Sequence, residues 1–507
     1  MIPIIHSDIK KHYSNFTYMV NGTYGHIINA IDNETNKKVV IKKVKLFNEE
    51  NDIHPTVLLE ITTLQKLRGI KGIIQLDKIF YHGIYIYYVL PYYKYNLLQF
   101  INNPLTQENK LILIRNISTA VANMHLNKFV HRDLKPENIV LNDVNDVVII
   151  DFGFSVYMYT RDELLIEEEL QTLHYRAPEC LFYMGMKNKY RYQSDIWSLG
   201  CIIFKILTGL TYIFSVIKDG ELTEKSVALA HVQMYGYDTI TATIGNIPDI
   251  STMKYYKTIG LNFENTCPVE ASILNHMFEL DITKRATILD VLSFFSQKYV
   301  KCPILHTNTI SRIYDNNWFM YWLLLYGVYT PQIVLNTALE YMSIINVNYN
   351  KSTIIVMMLI MAAKTLDISY KVLIEILVDS NVSAEHMQEI ERELFFQLSG
   401  NTLYLGPYFY LSPFISTNND KYPLICFLVH TLYYNNFRYK YNPAKLAYSC
   451  ILIVCDDYNI DMFNELTTEE YIQIKTDIFN NLIKIDKYSV PSHCKLHLIN
   501  LLNYKNE

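Results

Sequence analysis

An α+β fold over roughly the first three hundred residues, followed by an all-α region, is what this 507-residue sequence predicts. Three observations carry that expectation. "VNGTYGHI" (20–27) and "KKVVIKK" (37–43) read as a strand, a tight glycine turn, a second strand and a third strand bearing Lys42. "LLEITTLQKL" (58–67) then reads as a helix that carries one acid, Glu60. From about Asn316 the texture changes: apolar residues recur at helical spacing and strand signals fade. The chain is long enough for two or three domains, and half its residues are apolar, so each part can build its own core.

Composition excludes several classes. A formal net charge of -5, with Lys and Arg spread along the chain, gives no basic footprint for nucleic acid, so nucleic acid is not an expected partner. The eight cysteines show no C-x-x-C pair and no regular spacing, and read as reduced core residues of an intracellular protein, cytoplasmic or nuclear. "MIPIIHSDIKKHY" lacks the pattern of a signal peptide. The most apolar window, Ser352 to Ala363, is shorter than the roughly 20 residues of a membrane span, so it is expected to be a buried helix rather than a membrane contact. Abundant Tyr, Asn and Ile suit an A/T-rich genome such as that of a virus or parasite, in which case the setting is a host cell.

A single glycine-rich loop is weak evidence, since Gly22 and Gly25 alone suit an ordinary hairpin. The rest of the chain changes its weight. "HRDLKPENIV" (131–140), "DFG" (151–153), "APE" (177–179), "SDIWSLG" (194–200) and Arg285 in "DITKRAT" follow in the order and at the separations of a protein kinase. Residues 12–300 resemble cyclin-dependent kinases in detail, through "GTYGHI", "VVIKKVK" and "TLHYRAPE". The resemblance implies a two-lobed kinase fold, ATP and Mg²⁺ as cofactors, and protein substrates.

It also implies residue roles. Lys42 would hold the α- and β-phosphates, oriented by Glu60. Asp133 would orient the substrate hydroxyl, and Lys135 would neutralise charge on the moving phosphoryl group. Asn138 and Asp151 would bind Mg²⁺. Val20, Gly22, Gly25, Ile27, Val40, Leu90, Tyr92 and Val140 would line the nucleotide site with Lys42, Leu90 being the gatekeeper. Two departures stand out: Val20 replaces the loop's first glycine, and Val40 stands where a small alanine usually faces adenine. Thr23 and Tyr24, at the loop tip, are regulatory candidates.

"IEEELQTLHYRAPE" (166–179) puts Glu167 at the family's phosphothreonine position. The three arginines that clasp that phosphate in the family match Leu59, Arg132 and Val156 here, so only Arg132 remains. One carboxylate can be held by one bidentate arginine, whereas a doubly charged phosphate needs several. A Glu167 to Arg132 pair is therefore expected, against the plain alternative of a solvated acidic loop. The resemblance of "TLHYRAPE" to the family further implies a preference for proline, with Arg176 holding the backbone so as to leave no partner for a substrate N–H.

The C-terminal region resembles a cyclin box through "YWLLLYG" (321–327), "AAK" (362–364) and "IERELFFQL" (390–398). The expected organisation is a kinase domain over 12–300, a linker over 301–315, a first cyclin-like box over 316–402 and a second cyclin-like helical repeat over 403–507. By resemblance Lys364 and Glu391 would face the kinase around Leu58, in an intramolecular kinase–cyclin-like contact. A second family pair would map to Asn316 and Ser343, and the family's docking patch to Asp315, Phe319 and Trp322, with the charges of the pair absent and an acid in the patch. The leading expectation is a proline-directed Ser/Thr kinase activated in cis. The alternatives are a helical module that recruits substrate or transcription machinery, and a non-enzymatic decoy of host cell-cycle regulators.

Overall fold

The computed structural model describes residues 2–22, 25–47, 53–158, 171–182, 191–211, 223–244, 269–295, 351–366, 370–379, 382–403, 441–455, 460–463 and 466–482, with residues 258, 263, 267, 338, 341, 425, 428 and 429. The chain divides into two units, Met1–Leu305 with Ser399–Asn401, and His306–Leu398 with Thr402–Glu507.

The first unit begins with a six-stranded sheet built from β1 (Ile4–His6), β2 (Tyr13–Gly22), β3 (Gly25–Asp32), β4 (Lys38–Lys45), β5 (Lys78–His82) and β6 (Tyr85–Pro91), in the order β1-β5-β6-β4-β3-β2. The hairpin and third strand read from the sequence are β2, β3 and β4, paired antiparallel. Alternation along β4 puts Val39 and Ile41 into a cluster with Ile9, Tyr13, Ala30, Phe80 and Val89. By the same period of two, Val40 and Lys42 take the opposite face. Strand β1 was not anticipated; it lies parallel to β5, with Ile4 opposite Ile79 and His6 opposite Tyr81.

Helix α1 (Pro55–Lys66) starts where His54 accepts the Thr56 N–H and Pro55 takes the first turn, where a missing donor costs nothing. Every residue from Val57 to Leu64 on it is buried, Glu60 included. Ser399 and Gly400, part of this unit, accept hydrogen bonds from α1: Thr62 Oγ1 donates to the Gly400 carbonyl at 3.1 Å and Gln65 Nε2 to the Ser399 carbonyl at 2.7 Å. Gln65 Oε1 in turn accepts the Ile2 N–H at 3.3 Å.

The larger lobe contains β7 (Tyr95–Asn96), α2 (Leu97–Ile101), α3 (Gln107–Leu126), β8 (Phe129–Val130), β9 (Ile139–Asp143), β10 (Asp146–Ile149), β11 (Val156–Tyr157), α4 (Pro178–Phe182), α5 (Tyr192–Thr208), α6 (Glu224–Tyr235), α7 (Tyr237–Ile244), α8 (Ala271–Met277) and α9 (Ile288–Phe295). Its small strands form the sheets β10-β9-β7 and β11-β8, which carry the loops between them into the cleft. Trp197 on α5 is fully buried beside Phe278, and the Arg285 guanidinium lies 5.1 Å from its ring centroid. Arg285 also makes two bonds to Glu179, at 2.6 and 2.8 Å, so a buried charge on each side is answered in the bidentate way that such burial requires.

Among the described residues of the second unit the named elements are helical: α10 (Lys351–Thr365), α11 (Lys371–Asp379), α12 (Ala384–Gln397), α13 (Pro443–Val454), a 3₁₀ turn (Ile460–Met462) and α14 (Thr468–Leu482). Helix α10 is apolar on all sides and buried from Thr353 through Ala363, as an all-round apolar helix inside a helical core must be. No helix among the described residues is long and apolar enough to cross a membrane. Asp315, Asn316, Phe319, Trp322 and Ser343, like the linker at 301–315, lie outside the described residues.

Candidate active site

Lys42 on β4 and Glu60 on α1 meet in the cleft, with Nζ 2.7 and 2.8 Å from the two carboxylate oxygens. Lys42 also donates to Asp151 Oδ1 at 2.8 Å. Burial pushes the Glu60 carboxyl up to about 7 against the pull of Lys42. Burial alone would lower the Lys42 ammonium, but the charges of Glu60 and Asp151 outweigh it and raise the group. Burial likewise works to raise Asp151, and the Lys42 charge and hydrogen bond overcome it, holding this carboxyl below its ordinary range.

The loop after β8 is held from beneath by Asp195. Its buried carboxylate accepts the backbone N–H groups of His131 and Arg132 at 2.8 and 3.0 Å and pairs with His125 at 2.9 Å. Arg132 and Asp151 both take left-handed backbone, at φ 66° and 65°, a strain of roughly 1–3 kcal/mol each, with Asp195 holding the Arg132 backbone and Lys42 the Asp151 side chain. Arg132 is buried, and its Nε donates to the Phe154 carbonyl.

Asp133 lies at the centre. Its Oδ2 accepts from Lys135 Nζ at 2.7 Å and Asn138 Nδ2 at 3.2 Å, and its Oδ1 accepts the Thr172 N–H at 3.1 Å and the Thr172 hydroxyl at 2.9 Å. Lys135 Nζ donates to Thr172 Oγ1 at 3.0 Å. Thr172 thus fixes Asp133 and Lys135 together, a role that sequence reading did not give it.

Just before it, Gln171 has φ 73°, and its carbonyl accepts from Arg176 Nε and Nη2 at 3.2 and 2.9 Å. Arg176 Nη1 bonds Glu224 at 2.5 Å.

The other residues expected to line a nucleotide site lie on or beside β2, β3, β4, β6 and β9. In the strand register Ile27 lies opposite both Val20 and Lys42, and Val40 opposite Leu90. Leu90 and Val140, on β6 and β9, are half-buried, and Tyr92 follows β6 with Lys38 Nζ 5.3 Å from its ring centroid. Gly22 and Gly25 close the β2–β3 register. A Cβ at Gly25 would sit 2.2 Å from the Lys43 carbonyl oxygen, so this glycine is required by the approach of β4 whatever it does for a nucleotide. Thr23, Tyr24 and Glu167 lie outside the described residues.

Leu58 is fully buried in α1. In the second unit Lys364 and Glu391, both buried, bond to each other at 2.6 Å, and Lys364 Nζ lies 5.3 Å from the Tyr370 ring centroid.

Asn138 and Asp151 each keep an oxygen that suits Mg²⁺. Asn138 spends its amide nitrogen on the Asp133 carbonyl and carboxylate, and Asp151 spends Oδ1 on Lys42. The Asn138 oxygen and Asp151 Oδ2 remain, two hard oxygen donors of the kind Mg²⁺ takes. A bound Mg²⁺ would neutralise phosphate charge. Lys42 would hold phosphate, Asp133 would orient a hydroxyl, and Lys135 beside Asp133 would meet the charge that shifts during transfer.

The protein kinase domain family matches residues 13–296. A probable cell division protein kinase of Encephalitozoon cuniculi is 37% identical over 203 residues, covering 40% of this chain and 74% of that protein. Cyclin-dependent kinase 20 of Danio rerio is 32% identical over 200 residues, 39% of this chain and 57% of that protein. The CTD kinase subunit alpha of Schizosaccharomyces pombe is 32% identical over 203 residues, 39% of this chain and 34% of that protein. The ion pair from β4 to α1, the Asp133–Lys135–Thr172 cluster and these matches agree, and the chain belongs to the protein kinase family, among the serine/threonine kinases of cyclin-dependent type.

Proposed function

We propose that the chain is a proline-directed serine/threonine kinase, using ATP and Mg²⁺ on protein substrates and activated by its own helical C-terminal region. The observation that carries the proline preference is the left-handed Gln171, whose carbonyl is already taken by Arg176. A substrate residue following the phosphorylated one presents a backbone N–H near this carbonyl. With the acceptor occupied, that N–H is desolvated without a partner at a cost of about 1–3 kcal/mol. Proline has no N–H to lose.

Two features of the first unit support self-activation. The Lys42–Glu60 pair is closed, which requires α1 to stand in its working position. Ser399 and Gly400, which follow α12 in the chain, accept hydrogen bonds from Gln65 and Thr62 of α1. In this reading the region is cyclin-like, and Glu167 stands in for an activation-segment phosphate opposite Arg132. Cys201 and Cys267 are buried free thiols, which suits a reducing cytoplasmic or nuclear setting.

Steady-state phosphorylation by the full-length chain of two peptides that differ only in Pro or Ala after the acceptor serine tests the preference. The Pro peptide is expected to have a kcat/KM higher by about tenfold or more. Equal values would refute proline direction.

A further inference from the structure

A left-handed backbone is disfavoured for any residue with a Cβ, and Gln lacks the short side chain that eases it for Asn or Asp. Gln171 is nonetheless held there, only 6% exposed, so its surroundings must fix it. Its side-chain Oε1 accepts the N–H of Ala177, a fully buried residue, at 3.2 Å. Its Nε2 reaches the Ser194 carbonyl and Ser198 Oγ on α5, each at 3.4 Å. Ser198 Oγ also donates to the Tyr175 carbonyl at 2.7 Å, so the same helix steadies the middle of the segment. The main chain of Gln171 is thereby tied to Arg176 and its side chain to Ala177, two adjacent residues. From the far side Glu224, at the start of α6, bonds Arg176 Nη1 and leaves Nε and Nη2 for the Gln171 carbonyl.

We propose that the Gln171 side chain is a positioning residue for the choice of proline, fixing the left-handed turn that hands its own carbonyl to Arg176. The inference rests on the proline-directed reading given above. Without the amide, the Ala177 N–H loses its acceptor and the backbone at 171 is free to relax toward extended conformations. The carbonyl then turns away from Arg176 and becomes available to a substrate N–H. Alanine after the acceptor serine becomes tolerable, and the gain falls on that poorer substrate.

The test uses the full-length chain as wild type, Gln171→Met and Gln171→Leu, both near Gln in size and lacking the amide. Three peptides carry Pro, Ala or N-methylalanine after the serine; N-methylalanine lacks the N–H without supplying the ring. Ratios of kcat/KM between peptides are read because they cancel any difference in the fraction of folded enzyme. Wild type should favour both Pro and N-methylalanine over Ala, and each variant should narrow both ratios by about fivefold or more. A discriminating wild type with unchanged ratios in both variants overturns the role of Gln171 alone. A wild type that does not discriminate overturns the proline-directed reading, and this inference falls with it.

Discussion

Thr172 shows how much of this site depends on one small side chain. Its hydroxyl donates to Asp133 and accepts from Lys135, so it sets the angle between the carboxylate and the ammonium. Thr172→Ala should lower kcat by about tenfold to a hundredfold through lost orientation, while the KM for ATP changes little. Steady-state kinetics with ATP varied at saturating peptide would check this split. That Lys42, Glu60 and Asp151 meet, and that Asp133, Lys135 and Asn138 meet, was legible in the sequence because each residue sits in a motif of recognisable spacing. The parts played by Thr172 and Asp195 were not, because they act across 39 and about 60 residues of chain on the loop that holds Asp133. The left-handed state of Gln171 was hidden for a different reason: no local preference for it exists in glutamine, and the bonds that enforce it come from α5 and the end of its own segment.

At the scale of elements, β1 is the clearest gain over the sequence. Three residues, Ile4–His6, carry too little periodicity to announce a strand, and the pairing to β5 is parallel and some 75 residues away in register. The segment following it inserts Ile9, 5% exposed, into the cluster under β4. Ile9→Ala should therefore destabilise the first unit by about 2–4 kcal/mol. Urea unfolding followed by tryptophan fluorescence, which reports on Trp197 among others, would read it as a lower midpoint at unchanged slope. Strands β2 to β4 were legible because apolar and polar residues alternate around a glycine turn. Helix α1 was legible only in part: its single acid, Glu60, was seen, but a helix buried on nearly every side gives no amphipathic stripe to show which face meets what.

For the whole molecule, the central claim is that one chain contains everything phosphoryl transfer needs. The helical character of the C-terminal region was legible from apolar spacing, and the buried α10 was anticipated from its composition. The link from Thr62 and Gln65 to Gly400 and Ser399 was not, because hydrogen bonds to backbone carbonyls leave no residue-type signature at the accepting end. The proposed acid at Glu167 makes the same claim from another direction. A charge-assisted pair with Arg132 in a partly enclosed place contributes about 1.5–3 kcal/mol, which corresponds to about tenfold or more in rate if it holds the segment open. The most direct measurement is the rate at which full-length protein, made in bacteria and shown by mass spectrometry to be unphosphorylated, phosphorylates a Ser-Pro peptide. The account predicts turnover with no added partner or activating kinase, its abolition by Asp151→Asn, and a loss of about tenfold in Glu167→Ala that Glu169→Ala does not share. Turnover that begins only after another kinase or a separate cyclin is supplied would contradict it.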